Sequence, residues 1–367
     1  MFSLCGKSFT SYIIPTPTPP GSTPDISASA FVPGFALTAG TLPENLSVLD
    51  PVSPPGEAIR FLFILVTGIC LFILAVVWAV LFWSIFRFRA RPDQETLSEP
   101  PQVYGSLPIE IAWTVAPTLI VFLLALAIIR TTGEVRGPAR PPAGAESLRV
   151  TVVGHQWWWE YVYEEYNGEK LGFITANELH LPAGESATPR PIYLTLKSAD
   201  VCHSWWTPRL AGKMDLIPGR TNRLWFQTDR PGLYLGQCAE YCGTQHAGML
   251  LRVYVDTPSE FQAWLDNQKR SAVEDPKVAD GKKLFLSQSC INCHRVRGTA
   301  AAGTYAPDLT HLMSRETLAS GMILNTRENL RRWVVDPQSI KQGCLMPAFG
   351  LDDKQVDSIV EYLLTLK

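Results

Sequence analysis

Two stretches of the chain carry no polar alternation at all. "FLFILVTGICLFILAVVWAVLFWSIF" (61–86) is uncharged throughout, and "IEIAWTVAPTLIVFLLALAII" (109–129) carries one charge, Glu110. Each exceeds the roughly 18 residues that mark a membrane helix, and the first would reach roughly 39 Å. A transmembrane helical hairpin is therefore expected over 58–135. From about 148 the pattern turns to strands: "SLRVTVVGHQWWWEYVY", "PIYLTLKSADVCHSWW", "RLWFQTD", "GLYLGQC" and "GMLLRVYVD" are punctuated by Gly, Pro and Asp. Short β-branched and aromatic runs at this spacing predict a β-sandwich or Greek-key barrel over 146–256. "SEFQAWLDNQKRSAVED" reads as a helix and polar linker over 257–276. In "DDKQVDSIVEYLLTLK", Val356, Ile359, Val360, Leu363 and Leu364 form one helical stripe, so 277–367 should be a compact all-α module. Residues 1–57, with "PTPTPPGSTP", are expected to be a disordered tail without a signal peptide or a lipoprotein signal at Cys5.

The loop between the apolar runs opens with Arg87, Arg89 and Arg91, which favours the cytoplasmic side. Two crossings then place the tail and everything after residue 130 outside, in the periplasm of a bacterium. A net charge of -2 gives no electrostatic case for nucleic acid. Of the eight cysteines, Cys238, Cys242, Cys290 and Cys293 sit in two tight motifs. Cys70, Cys202 and Cys344 read as small packing residues.

"CINCH" is the attachment signature of a c-type haem. Cys290 and Cys293 can each form a thioether, and His294 offers an imidazole to the iron. Met346, in "CLMPAFG", is the preferred sixth ligand, because a thioether raises the reduction potential of an electron carrier. Met313 and Met322 are its competitors, at positions that read better as core.

"GQCAEYCGTQHAGM" puts Cys238, Cys242, His246 and Met249 into fourteen positions, and "DVCHSWW" upstream supplies His203. Structural zinc closes a Cys/His tetrahedron and gains little from a thioether. Soft thiolate and thioether with imidazole select copper, and a second thiolate suits two bridged copper ions. Dinuclear copper, zinc and a disulfide all stay open on the residues alone, with copper using the most of them.

The span from about 48 to 256 resembles cytochrome c oxidase subunit II, on "EIAWTVAPTL", "GHQWWWEY", "DVCHSWWTPRLAGKMDLIPGR" and "CAEYCGTQHAGM". The tail is similar to a fused cytochrome c domain, as in caa-type bacterial oxidases. The resemblance implies a cupredoxin-like domain and a class I cytochrome c domain. It implies a dinuclear CuA centre held by His203, Cys238, Cys242, His246, Met249 and the carbonyl of Glu240, whose side chain would face a magnesium site on subunit I. Trp157 would be the point where electrons reach CuA, with Trp158 standing where the family usually has Tyr. Glu110, three positions before Trp113, would mark the mouth of a proton channel. Pro307, in "YAPDL", would offer its carbonyl to His294. The implied function is subunit II of a proton-pumping haem–copper oxidase, carrying electrons to subunit I, where oxygen is reduced. Subunits I and III, a periplasmic cytochrome c or quinol-oxidising donor complex, and membrane lipid are the expected partners.

Three rivals share parts of this pattern. A copper-delivery or other copper-binding electron-transfer protein outside an oxidase would use the same soft ligands but has no use for the haem motif. The CuA domain of nitrous oxide reductase would lack the two spans, and a quinol-oxidase subunit II would lack the copper ligands.

Overall fold

The computed structural model describes residues 46–89, 102, 104–137, 146–185, 189–273 and 275–367. The apolar runs form helices α1 (Pro54–Arg87) and α2 (Leu107–Arg136), both longer than the stretches that predict them. At 1.5 Å per residue α1 reaches roughly 51 Å, well beyond a hydrocarbon core of about 30 Å. The excess lies at its start, where Pro55, Gly56 and Ala58 are buried and Ser53 caps the helix. Farther along, both helices expose apolar side chains on every face, as a helix solvated by lipid does.

Residues 46–57, expected to close a structureless tail, instead pack against the following domain. Asp50 pairs with Arg209 at 2.5 Å, and Ser53 donates to the Leu210 carbonyl. Residues 1–45 of that expected tail lie outside the described residues, as does Arg91.

Ten strands follow: β1 (Leu148–His155), β2 (Trp158–Tyr166), β3 (Glu169–Ala176), β4 (Glu178–Pro182), β5 (Ile192–Ser198), β6 (His203–Trp206), β7 (Met214–Leu216), β8 (Asn222–Phe226), β9 (Gly232–Cys238) and β10 (Leu250–Asp256). They build two five-stranded sheets, ordered β3-β2-β1-β5-β8 and β4-β10-β9-β6-β7. Alternate residues point inward, so Trp159, Tyr161 and Tyr163 of β2 and Leu251, Val253 and Val255 of β10 fill one shared core. The start of α1 and the end of α2 meet the strand domain, and both helices contact β8.

A capping box, Thr257 with Glu260, starts α3 (Pro258–Gln268), which buries Phe261 and Leu265. The last module holds α4 (Ala279–Ser287), the short α5 (Cys290–Cys293), a two-stranded ladder of β11 (Thr317–Leu318) and β12 (Ile323–Leu324), α6 (Arg327–Val335) and α7 (Asp353–Leu363). The α7 stripe lies in its core, with Val356, Ile359, Val360 and Leu363 buried. The ladder is the one departure from the expected all-α module. The described residues form one compact unit.

Candidate functional site

β6 and β9 are neighbours, with Trp205 opposite Cys238, so the start of one and the end of the other meet at the same edge. His203 opens β6 and Cys238 closes β9. The chain then loops through residues 239–249 before entering β10. The loop is pinned at both ends: Cys238 N–H donates to the Met249 carbonyl at 2.9 Å, and Ala239 N–H to the Ser204 carbonyl at 2.9 Å. A single 3-10 turn, His246–Gly248, brings His246 and Met249 back over the cysteines.

The five side chains converge. Cys238 Sγ lies 3.8 Å from Cys242 Sγ, 3.9 Å from His203 Nδ1 and 3.2 Å from the Glu240 carbonyl oxygen. Cys242 Sγ lies 3.6 Å from His246 Nδ1 and 3.9 Å from Met249 Sδ. A disulfide would put the two sulfurs about 2.05 Å apart, so this pair is not one. An ion about 2.3 Å from each sulfur would instead subtend an angle of about 110°, close to tetrahedral. His203, Cys238, Cys242 and Met249 are all at least 98% buried, as soft ligands to a shielded ion should be. Glu240 turns its carbonyl inward and leaves its side chain exposed.

The electrostatics of the metal-free site tell the same story. The hydrogen bond from the Cys242 thiol favours a thiolate on Cys238, while that thiolate, 3.8 Å away, holds the proton on Cys242. Two thiolates side by side therefore need a cation between them, and binding it releases the second proton. Burial pulls the pKa of His203 down, but hydrogen bonds with Asp200 and Cys238 outweigh it and the net shift is upward. His203 Nε2 meets Asp200 Oδ1 at 2.8 Å, which leaves Nδ1 for the sulfur side. Asp200 escaped the sequence reading, although its place three residues before His203 was a signal.

Gly154 and Gly243 clear the space. A β-carbon on Gly154 would sit 2.8 Å from the His203 ring, and one on Gly243, whose φ is +114°, would sit 3.0 Å from the Trp157 ring. Trp157 is 91% buried, and its Nε1 donates to the Cys242 carbonyl at 2.9 Å. Gln156 Nε2 donates to the same oxygen at 2.7 Å. Trp158 stacks on His155 instead, with ring centroids 4.2 Å apart.

A cavity in the last module is lined by Cys290, Cys293, His294, Pro307 and Met346, and its wall continues across to Trp157 and Trp158. One turn of α5 sets the two cysteines three positions apart, on the same side of the helix. His294 Nδ1 hydrogen-bonds the Pro307 carbonyl at 2.8 Å, which leaves Nε2 free for an iron. Met346 lines the cavity, whereas Met313 and Met322 do not. Arg315 also lines it, buried, with one terminal nitrogen donating to the Asp308 carbonyl and its Nε unpartnered. A buried guanidinium with a donor to spare suits an anion, and a haem propionate would supply one. Apolar walls, paired thiols and that cation fit a covalent haem.

Glu110 stands apart from both centres, in the first turn of α2 and about 40 Å along that helix from its domain end. His180 and His311 serve the fold: His180 bonds Asp256 at 2.8 Å, and His311 ties to Lys367 and Arg270 carbonyls. Cys202 is disulfide-bonded rather than a packing residue.

Comparison with known proteins agrees with this geometry. Residues 41–130 match the family described as cytochrome c oxidase subunit II, transmembrane domain, and 148–255 its periplasmic domain. Residues 278–367 match cytochrome c. Cytochrome c oxidase subunit 2 of Alkalihalophilus pseudofirmus is 36% identical over 93% of this chain and 98% of its own. This chain belongs to the cytochrome c oxidase subunit II family. The Bacillus sp. strain PS3 subunit is 33% identical over 90% of this chain and 94% of its own. The crystallised periplasmic domain of the Bradyrhizobium japonicum subunit II is 29% identical over 35% of this chain and 96% of its own, with a TM-score of 0.30. As a subunit II, the chain is part of an oxidoreductase complex with subunit I, anchored in a bacterial membrane by α1 and α2, with its other domains in the periplasm. The family domains imply CuA copper and haem c, and the cysteine–histidine cluster and the apolar cavity fit them.

Proposed function

We propose that this subunit II receives electrons from a periplasmic donor at its covalent haem and hands them through Trp157 to a dinuclear CuA, and thence to subunit I. When bound, the haem and the copper pair each take up and release one electron without making or breaking a bond. The observation that carries the reading is the place of Trp157: the residue lines the haem cavity, and its ring Nε1 donates to the Cys242 carbonyl. A conjugated ring across that gap shortens the distance an electron must tunnel.

The chain's own residues hold the centres. Cys290 and Cys293 would anchor the haem, His294 and Met346 would ligate it, and the Pro307 carbonyl fixes the His294 ring. His203, Cys238, Cys242, His246, Met249 and the Glu240 carbonyl would hold the two coppers. The exposed Glu240 side chain would reach a magnesium site on subunit I. Glu110 would open a proton channel into the same subunit of a proton-pumping complex, with subunit III as a further partner. The donor would be a cytochrome c or a quinol-oxidising complex.

Replacing Trp157 with Phe tests the path. Flash reduction of the haem in the complete oxidase should then be followed by copper reduction at least tenfold slower than in the parent. Haem reduction itself should be unchanged. An unaltered transfer rate would remove Trp157 from the route.

A further inference from the structure

The segment that carries Met346 is tied to the copper domain by a buried ammonium. Lys341, five residues before Met346, is 3% exposed. Its Nζ donates to the Trp157 carbonyl at 2.7 Å, to the Gly248 carbonyl at 2.9 Å and to the Ala319 carbonyl at 2.9 Å. Two of these acceptors belong to the copper domain. Trp157 is the residue between the two centres, and Gly248 sits between His246 and Met249. Ala319 belongs to the haem module. An ammonium has three protons to donate, and here each finds a carbonyl.

A second buried charge crosses the same boundary in the opposite sense. Glu178 of β4 is 2% exposed and accepts from Glu316 N–H at 3.0 Å, Thr317 N–H at 2.9 Å and Thr317 Oγ1 at 2.6 Å. Between the two charges the domains pair like strands: Leu250 N–H donates to the Ser320 carbonyl at 3.2 Å. Gln245 Nε2 adds a bond to the Gln342 carbonyl at 2.7 Å. A charge buried at the contact with its donors or acceptors all met favours one seating of the two domains, because a slipped seating would leave that charge buried and unpaired.

We propose that Lys341 and Glu178 are positioning residues that lock the haem module onto the copper domain in one electron-transfer geometry. The inference rests on the haem-to-CuA reading for its consequence, though not for the lock itself. One electron would pass from the haem that Cys290, Cys293 and His294 hold to the copper pair, with no bond or proton exchanged, so distance and orientation are what the lock would control. Burial pulls the pKa of Lys341 down to about 7, and the three carbonyls that Nζ meets favour its ammonium form.

The test uses the complete oxidase with Lys341→Met and, separately, Glu178→Gln. Three quantities are followed: haem-to-copper transfer after flash reduction of the haem, relaxation of the copper EPR signal by the oxidised haem, and hydrogen exchange at the Leu250 amide. Lys341→Met should slow transfer at least tenfold, by more than any measured shift in the two reduction potentials accounts for, weaken the magnetic coupling and speed Leu250 exchange at least tenfold. Glu178→Gln should do the same at least threefold, and it decides the matter if the lysine variant fails to load haem or copper. Transfer, coupling and exchange all within twofold of the parent would overturn the lock. If the parent itself shows no haem-to-copper transfer, the route fails, while coupling and exchange still judge the lock.

Discussion

At the scale of residues, the copper site is defined by which soft donors are shielded together. Met249 is fully buried with its Sδ 3.9 Å from Cys242 Sγ, so a volume-conserving Met249→Leu removes one donor with little loss of packing. The variant should keep a reducible haem but lose the mixed-valence copper EPR signal or shift it, with oxidase turnover down by at least tenfold. A parental signal would exclude Met249 from the ligand set. A nearby histidine governs acid stability. Burial first, with His203 adding to it against Asp200, drives His155 down to about 4 from its usual 6.5. A pKa depressed by folding means that the unfolded chain binds more protons between pH 6.5 and 4. His155 therefore contributes stability that is complete above pH 6.5 and is lost as pH falls toward 4. With partial exposure discounted, the loss is about 1–2 kcal/mol. Thermal midpoints measured from pH 7 to 4 should fall less in His155→Gln than in the parent at equal copper loading. Parallel curves would show that His155 is not the group that titrates.

At the scale of elements, the two membrane helices do different work at their two ends. The domain ends of α1 and α2 rest on β8, and α1 begins with a capped, buried turn. The other end of α2 carries Glu110 in its first turn, after Ser106 and Pro108. A carboxylate held at the edge of a hydrocarbon layer is costly unless it is used or reaches water. Glu110→Gln keeps the shape and removes the charge. Oxidase reconstituted in vesicles should then show proton uptake slowed about tenfold, with haem and CuA reduction as fast as before; unchanged uptake and pumping would reduce Glu110 to an interfacial residue. The membrane helices could be read from unbroken apolar length because lipid meets them on every side, and the strands and the α7 stripe from periodicity because each buries one face. The ends could not: whether Pro54 or Phe61 starts α1 depends on how Asp50 and Ser53, just before it, are held by Arg209 and Leu210, far off in the chain. The same holds within the sites. Cys238, Cys242, His246 and Met249 were legible because they share fourteen positions. Lys341 and Glu178 were not, because their partners are backbone carbonyls and amides up to 184 positions away, and a backbone acceptor leaves no trace in residue identity.

At the scale of the whole molecule, the proposed series of haem and CuA would be ordered by potential as much as by position. A thioether ligand raises the potential of a haem, which keeps the haem reducible by a mild donor. Met346 is the one of the three candidate methionines that lines the haem cavity. Met313 donates its N–H to the Leu366 carbonyl within the haem module's fold, and Met322 packs over Gly248 at the domain boundary. Met346→His should therefore leave the covalent haem in place but lower its potential. A fall of about 120 mV would shift the equilibrium with the donor about a hundredfold toward oxidised haem. Transfer onward to CuA would become more favourable, so the block would lie before the haem and not after it. Turnover with the periplasmic donor should drop at least tenfold, while haem reduced by flash photolysis still empties into copper at the parental rate or faster. Potentiometric titration of the haem band supplies the check. An unchanged midpoint would take the sixth ligand away from Met346, and a lowered midpoint with undiminished turnover would mean that electrons reach CuA without passing through the haem.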